Sequence, residues 1–239
     1  MERFSFNPFS LVDSPNGTIS SVVYTLGCNL RCPYCYNDSL VLPEKFHKND
    51  KLWSLEGIKN LITARKRPAF NLSDYIVISG GEPLIHYDAV LDLAKHTKDL
   101  GLKVKVNTNG TIPLDRLIES GTVDYLSIDL KAPFFVIPPI AESLRLAQVA
   151  TEAGVLSGFE VHTVLVRGIG GGFVDEIEQM ARDLVSIGYT GTWYLAGFKF
   201  TDTIISDVLT PLDRLDIDEA LLALDKAKGV YPKATLIGY

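Results

Sequence analysis

The sequence predicts an α/β fold in which parallel strands form a partial barrel of six strand–helix repeats, a (βα)6 arrangement. Three observations carry this. Short runs rich in β-branched and aromatic residues alternate with amphipathic stretches along the chain. Five of those stretches run into a glycine, at Gly101, Gly121, Gly154, Gly188 and Gly229, where a left-handed residue closes a helix without a Cβ clash. The unusual polar and glycine-rich clusters follow strand-like runs, on the edge where parallel α/β folds build their sites.

The first run, SVVYTLG (21–27), leads into all three cysteines of the chain. The stretch SLEGIKNLITARK then opens on Ser54 as an N-cap and sets Leu55, Ile58, Leu61 and Ile62 on one face. YIVIS (75–79) is followed by SGGEP (79–83) and the helix DAVLDLAKHTKDLG. KVKVN (103–107) is followed by NTNG (107–110) and LDRLIESG. DYLSIDL (124–130) ends in DLKAP (129–133), before IAESLRLAQVATEAG. FEVHTVLV (159–166) precedes VDEIEQMARDLVSIG, WYLAGFKF (193–200) precedes DIDEALLALDKAKG, and ATLIGY (234–239) closes the pattern. Parallel strands need a crossover between them, and the helices supply it. About six repeats fall short of an eight-fold closed barrel. No linker or change of composition divides the chain, so residues 1–239 are expected to form a single domain.

Composition narrows the class. With 46% hydrophobic and 22% charged residues, the chain has the make-up of an ordinary globular protein. A net charge of −6 without a basic block argues against a nucleic-acid binder. The opening MERFSFNPFS lacks a basic segment followed by an apolar core, and APFFVIPPIA (132–141) is too short to cross a bilayer and is broken by three prolines. A cytoplasmic protein without membrane or nucleic-acid partners is expected, in which clustered cysteines are not a disulfide framework.

Cys28, Cys32 and Cys35 have a C-x3-C-x2-C spacing inside LGCNLRCPYCYND (26–38). A structural zinc site takes four ligands, usually in paired C-x2-C elements, and His47, His86, His96 and His162 have no zinc-finger spacing to the cysteines. An electron-transfer ferredoxin takes four thiolates per cluster. Three thiolates leave one position without a protein ligand, as catalytic metal sites do for substrate.

The cysteine loop, with Tyr34 before its third cysteine and SGGEP downstream, resembles the radical S-adenosylmethionine (SAM) superfamily. Within it, FSLVDSPNGTISSVVYTLGCNLRCPYCYN, DYLSIDLKAPF and IAESLRLAQVATEAGVLSGFEVHTVLV resemble the activating enzymes of glycyl-radical enzymes, especially the anaerobic ribonucleotide reductase activase-like branch. The resemblance implies a barrel of the radical SAM type and a [4Fe–4S] cluster on Cys28, Cys32 and Cys35, whose fourth iron binds SAM. One-electron reduction then cleaves SAM, and the radical produced is passed to a glycine Cα of a partner enzyme. No protein residue beyond those binding the cluster and SAM is implied to be catalytic. Gly80 and Gly81 would let the backbone approach SAM, and Glu82 would accept from its ammonium group. Lys131 would meet the SAM carboxylate, with Asp129 orienting it or the ammonium. Asn107, Thr108 and Asn109 would bind the ribose or the methionine end, or form a plain Asn-Gly turn. Tyr34 and Asn37 would shape the adenine pocket, and His162 would line the interior beside SAM or sit satisfied in the core. Trp193, Tyr194 and Phe198 would close the apolar side. The resemblance also implies an external one-electron donor such as flavodoxin or ferredoxin. Tyr36 stands where activases commonly carry histidine, and His162 where related sequences often show arginine. Two other functions fit the same residues: a radical SAM enzyme acting on a small molecule or peptide, and a non-catalytic iron–sulfur or zinc module.

Overall fold

Near-continuous apolar runs such as SVVYT and YIVIS are buried along most of their length, which gives a sheet covered on both faces, as parallel crossover folds require. The computed structural model describes residues 3–15, 18–48, 51–65, 75–133, 136–167 and 173–238. Its strands are β1 (Phe4–Ser10), β2 (Ser20–Thr25), β3 (Tyr75–Gly80), β4 (Lys103–Thr108), β5 (Tyr125–Asp129), β6 (Gly158–Leu165), β7 (Trp193–Gly197) and β8 (Ala234–Ile237). They form one eight-stranded sheet in chain order, parallel from β2 to β8. The helices are α1 (Asp38–Val41), α2 (Leu55–Arg65), α3 (Tyr87–Asp99), α4 (Asp115–Glu119), α5 (Pro138–Glu152), α6 (Phe173–Ser186) and α7 (Ile217–Val230). The six expected repeats therefore run from β2 through α7, and β1 and β8 are the two outer strands, as in an open barrel.

One face of the sheet packs on the helices. Val23, Ile76, Ile78, Val104, Val106, Leu126, Ile128 and Val161 share a core with Ile58, Ile62, Leu93, Leu117, Leu144 and Leu184. The alternate residues point the other way. Val22, Tyr75 and Val77 form a small inner cluster with Tyr24 and Tyr125. On the same inner face, buried Lys105 places Nζ 2.7 Å from Glu160 Oε1 and donates to the Asp13 carbonyl at 2.8 Å. Burying two charges is costly unless each finds its partner, and here each does.

Two expectations change. β1 was not anticipated, because Pro8 and Asn7 interrupt its alternation and its register shifts between Asn7 and Ser10. It pairs antiparallel with β2, and Phe4 exchanges two backbone hydrogen bonds with Trp53, at 2.9 and 2.8 Å. Gly101, Gly121, Gly154 and Gly188 have φ of 73°, 62°, 72° and 73°, the expected helix stops. Gly229 instead lies inside α7, which runs on to Val230 because Tyr231 behind it is buried against the sheet and ends the helix with extended backbone. Pro138 and Pro139 occupy the first turn of α5, where a missing N–H costs nothing. Phe134 and Phe135, with Lys66 and Tyr239 at the ends of an expected helix and strand, lie outside the described residues. Among the described residues no helix is long and apolar enough to cross a membrane.

Candidate active site

β2 ends at Thr25 and turns at Gly27, whose φ of 90° a side chain would resist. The turn carries the chain across the C-terminal ends of the strands. There Cys28, Cys32 and Cys35, half-buried free thiols, line a cavity of about 510 Å³. Tyr34, Asn37, Gly80, Gly81, Asn109, Asp129, Lys131 and His162 line the same cavity, so loops from four strand ends and one inward strand residue meet in one place. Burial pushes the Cys28 and Cys35 thiols up, against backbone N–H groups that oppose it. Among the described residues, no three His, Cys, Asp or Glu side chains are drawn together tightly enough to hold a single metal ion.

Glu82, Asn107 and Thr108 are not in the wall. Glu82 is fully buried, and its carboxylate accepts from Leu84 N at 3.0 Å, Asn109 N at 2.7 Å and Thr108 Oγ1 at 2.8 Å. Burial raises its pKa, while those three donors oppose the rise. The geometry makes it a clip between the loops after β3 and β4, with its oxygens turned away from the cavity. The short turn Pro83–His86 produces this by taking Glu82 as its N-cap. Asn107 reaches Ser79 Oγ at 3.4 Å through Nδ2, and its Oδ1 is buried without a protein partner.

Gly80 and Gly81 have a steric reason of their own. A Cβ on Gly80 would sit 2.3 Å from the Thr25 carbonyl oxygen, and one on Gly81 would sit 2.0 Å from that of Gly27. The loop after β3 therefore packs backbone to backbone on the start of the cysteine loop, sealed by Glu82 N to Gly27 O at 2.9 Å.

On the other wall, Lys131 Nζ lies 2.8 Å from Asp129 Oδ2 and 5.9 Å from the Tyr34 ring centroid. Burial alone would lower the lysine pKa. Asp129, with Tyr34 and Cys32, outweighs it and holds the ammonium well above its ordinary value. His162 stacks on Tyr194 with centroids 4.8 Å apart, and its Nε2 lies 3.1 Å from Glu160 Oε1. Burial would raise the Glu160 pKa, but His162 and Lys105 override it and bring it to about 2. Phe198 does line the cavity, whereas Trp193 faces the helices, donating to Thr163 Oγ1 at 3.0 Å and touching Tyr231 edge-on.

Two features were missed. The Lys105–Glu160 pair shows in sequence only as charges at alternate positions of apolar runs. The segment after β7 returns over the cysteine loop. Ile205 N donates to Cys35 O at 2.9 Å, Ser206 N to Pro33 O at 3.2 Å and Thr203 Oγ1 to Tyr36 O at 2.6 Å. This strap also supplies Thr201 and Ile205 to the wall. Nothing local in KFTDTIISDV announces it.

A profile of the Radical SAM superfamily matches residues 22–184. A Methanocaldococcus jannaschii protein named for glycyl-radical enzyme activation is 39% identical over 127 residues, covering 52% of this chain and 48% of that protein. The 7-carboxy-7-deazaguanine synthase of Hyperthermus butylicus is 36% identical over 104 residues, covering 41% of this chain and 37% of the enzyme. The matched region is thus less than half the length of either relative. The crystal structure of Streptococcus suis SuiB bound to S-adenosylmethionine superposes with a TM-score of 0.61 at 15% identity, covering 91% of this chain and 49% of SuiB. That likeness shows the fold. Proteins of the matched family work with a [4Fe–4S] cluster and S-adenosylmethionine. With its profile extending from β2 into α6 and its cysteine loop at the strand ends, the chain belongs to the radical SAM superfamily.

Proposed function

We propose that this chain is an activating enzyme that cleaves SAM reductively and abstracts hydrogen from a glycine Cα of a partner glycyl-radical enzyme, of the anaerobic ribonucleotide reductase kind. One observation carries the chemistry: three free thiols and the Asp129–Lys131 pair line one cavity at the strand ends. Three thiolates without a fourth protein ligand suit a cluster that keeps one iron for SAM. Cys28, Cys32 and Cys35 would hold it, and the bound cluster and SAM supply the one-electron cleavage that yields the abstracting radical. The protein's own part is binding and orientation. Lys131 faces the SAM carboxylate, Asp129 holds the ammonium of Lys131 or of SAM, and the Gly80–Gly81 backbone with Tyr34, Asn37 and Asn109 shapes the walls. His162, stacked on Tyr194 and beside Glu160, borders the cavity from the inner side. Glu82 and Thr108 act by clamping Asn109. The electron comes from an external donor such as flavodoxin or ferredoxin.

The partner assignment draws on the match to the M. jannaschii protein. The match to a 7-carboxy-7-deazaguanine synthase favours a second reading, a small heterocyclic substrate at the same site. Deuterium decides between them. A peptide from the partner's radical loop, deuterated at the glycine Cα and supplied with SAM and reductant, is expected to put deuterium into 5′-deoxyadenosine. Transfer from a small metabolite alone would overturn the activase reading and leave SAM cleavage in place.

Lys131 gives a separate check. A hydrogen bond to a charged group is worth about 1.5–3 kcal/mol. Lys131→Met should therefore weaken SAM binding roughly 10–150-fold. Isothermal titration on the reconstituted protein measures this, and binding within twofold of wild type would return Lys131 to a solvent-facing pair with Asp129.

A further inference from the structure

Asn109 belongs to a closed ring of side-chain hydrogen bonds beneath the first cysteine. Its Oδ1 accepts from Thr111 N at 3.0 Å and from Thr111 Oγ1 at 2.6 Å. A backbone N–H can only donate, so the oxygen of the carboxamide must face Thr111 and its NH2 must face the other way. That NH2 donates to Asn29 Oδ1 at 2.8 Å, and Asn29 Nδ2 donates to Thr111 Oγ1 at 2.8 Å, which closes the ring with every donor and acceptor consistent. One hydrogen of the Asn109 NH2 remains, and the atom in its reach is Cys28 Sγ at 3.9 Å. Behind the ring, the buried Glu82 carboxylate fixes Asn109 through its backbone N–H at 2.7 Å, and Asn109 itself is 4% exposed. A side chain held at backbone, carboxamide oxygen and carboxamide nitrogen is not a turn residue left to solvent.

We propose that Asn109 is a positioning residue for the cluster, donating its carboxamide N–H to Cys28 Sγ and raising the cluster's reduction potential. A hydrogen bond to a ligand sulfur draws charge from it and favours the reduced, more negative state, one of the levers by which proteins tune such clusters. Leu30 N donates to the same sulfur at 3.3 Å, so Cys28 receives one donor from its own loop and one from the loop after β4. The inference rests on Cys28 being a cluster ligand. It assigns a purpose to the Glu82 clip, which would otherwise bury a carboxylate to fasten two loops.

The test is a redox titration of the anaerobically reconstituted protein, followed by electron paramagnetic resonance, with iron and sulfide counted in the same samples. Asn109→Leu keeps most of the volume and removes the donor, and Asn109→Ala removes both. At the potential where the wild-type cluster is half reduced, both variants should show a reduced-to-oxidised ratio lower by about tenfold, which for one electron is about 59 mV. A fall smaller than roughly threefold in a variant with full cluster content overturns the proposal. Should neither variant hold a full cluster, wild-type protein carrying 15N in its asparagine carboxamides decides. A side-chain nitrogen coupled to the reduced cluster's spin supports the N–H to sulfur bond, and its absence overturns it. A wild-type protein that binds no cluster would instead overturn the ligand assignment itself.

Discussion

Cys28→Ala, Cys32→Ala and Cys35→Ala should each abolish SAM cleavage under reductant. Each variant removes one of the three thiols that line the cavity, and these are all the cysteines the chain has. A cluster held by the two remaining thiolates would have two open irons, and the single position that would orient SAM would be lost. The check is 5′-deoxyadenosine formed per chain after anaerobic reconstitution, beside the iron count. Wild-type turnover in any one of the three would remove that cysteine from the ligand set.

Gly81→Ala is the second large effect, and it should appear before any chemistry is measured. The added methyl would lie 2.0 Å from Gly27 O and 2.6 Å from Gly27 C, both backbone atoms that no rotamer change can move away. Relief requires the two loops to separate, which breaks Gly81 N to Thr25 O at 3.2 Å and Glu82 N to Gly27 O at 2.9 Å. The expected loss is about 3 kcal/mol or more, at the upper end for a single substitution. Gly121→Ala is the control. Its Cβ meets nothing within 4 Å, and only the left-handed backbone at φ 62° resists it, a cost of about 1–2 kcal/mol. Urea unfolding of the cluster-free proteins compares the two, and equal midpoints would show that the seam between the loops gives way freely. Gly81→Ala should also take up less iron than Gly121→Ala, because the same seam places Cys28.

The repeating units were legible because their signals are local. Short runs rich in β-branched and aromatic residues, N-caps such as Ser54, whose Oγ accepts from Gly57 N at 3.1 Å, and four glycine stops need only neighbouring residues. β1 was hidden because a strand that begins a sheet, carries a proline and pairs on one side has no need of clean alternation. Gly229 misled for the complementary reason: a glycine is allowed at a helix end but not obliged to be one, and burial of Tyr231 decided its place. At the site, position along the chain located the loops correctly but said nothing of which way a side chain turns. Glu82 shows this best. Its place after two glycines suggests a ligand to something bound, while the turn at Pro83 directs its carboxylate to Thr108 and Asn109. Lys105, Glu160 and the strap over the cysteine loop depend on contacts between distant segments, which no window of sequence contains.

The strap has a consequence in time. Thr203 and Tyr36, which it joins, are 167 positions apart. Closing a chain segment of that length costs on the order of 4–5 kcal/mol of entropy before the constant of closure is added. Formation of β7 and its neighbours must meet that cost, since three hydrogen bonds alone do not. A growing polypeptide thus emerges with its three thiols long before the segment that fixes their loop. During that interval the cysteines sit on an unbraced tether, able to exchange partners or oxidise. Cluster loading that required the braced loop would follow docking of the seventh strand, and would then mark a barrel already largely assembled.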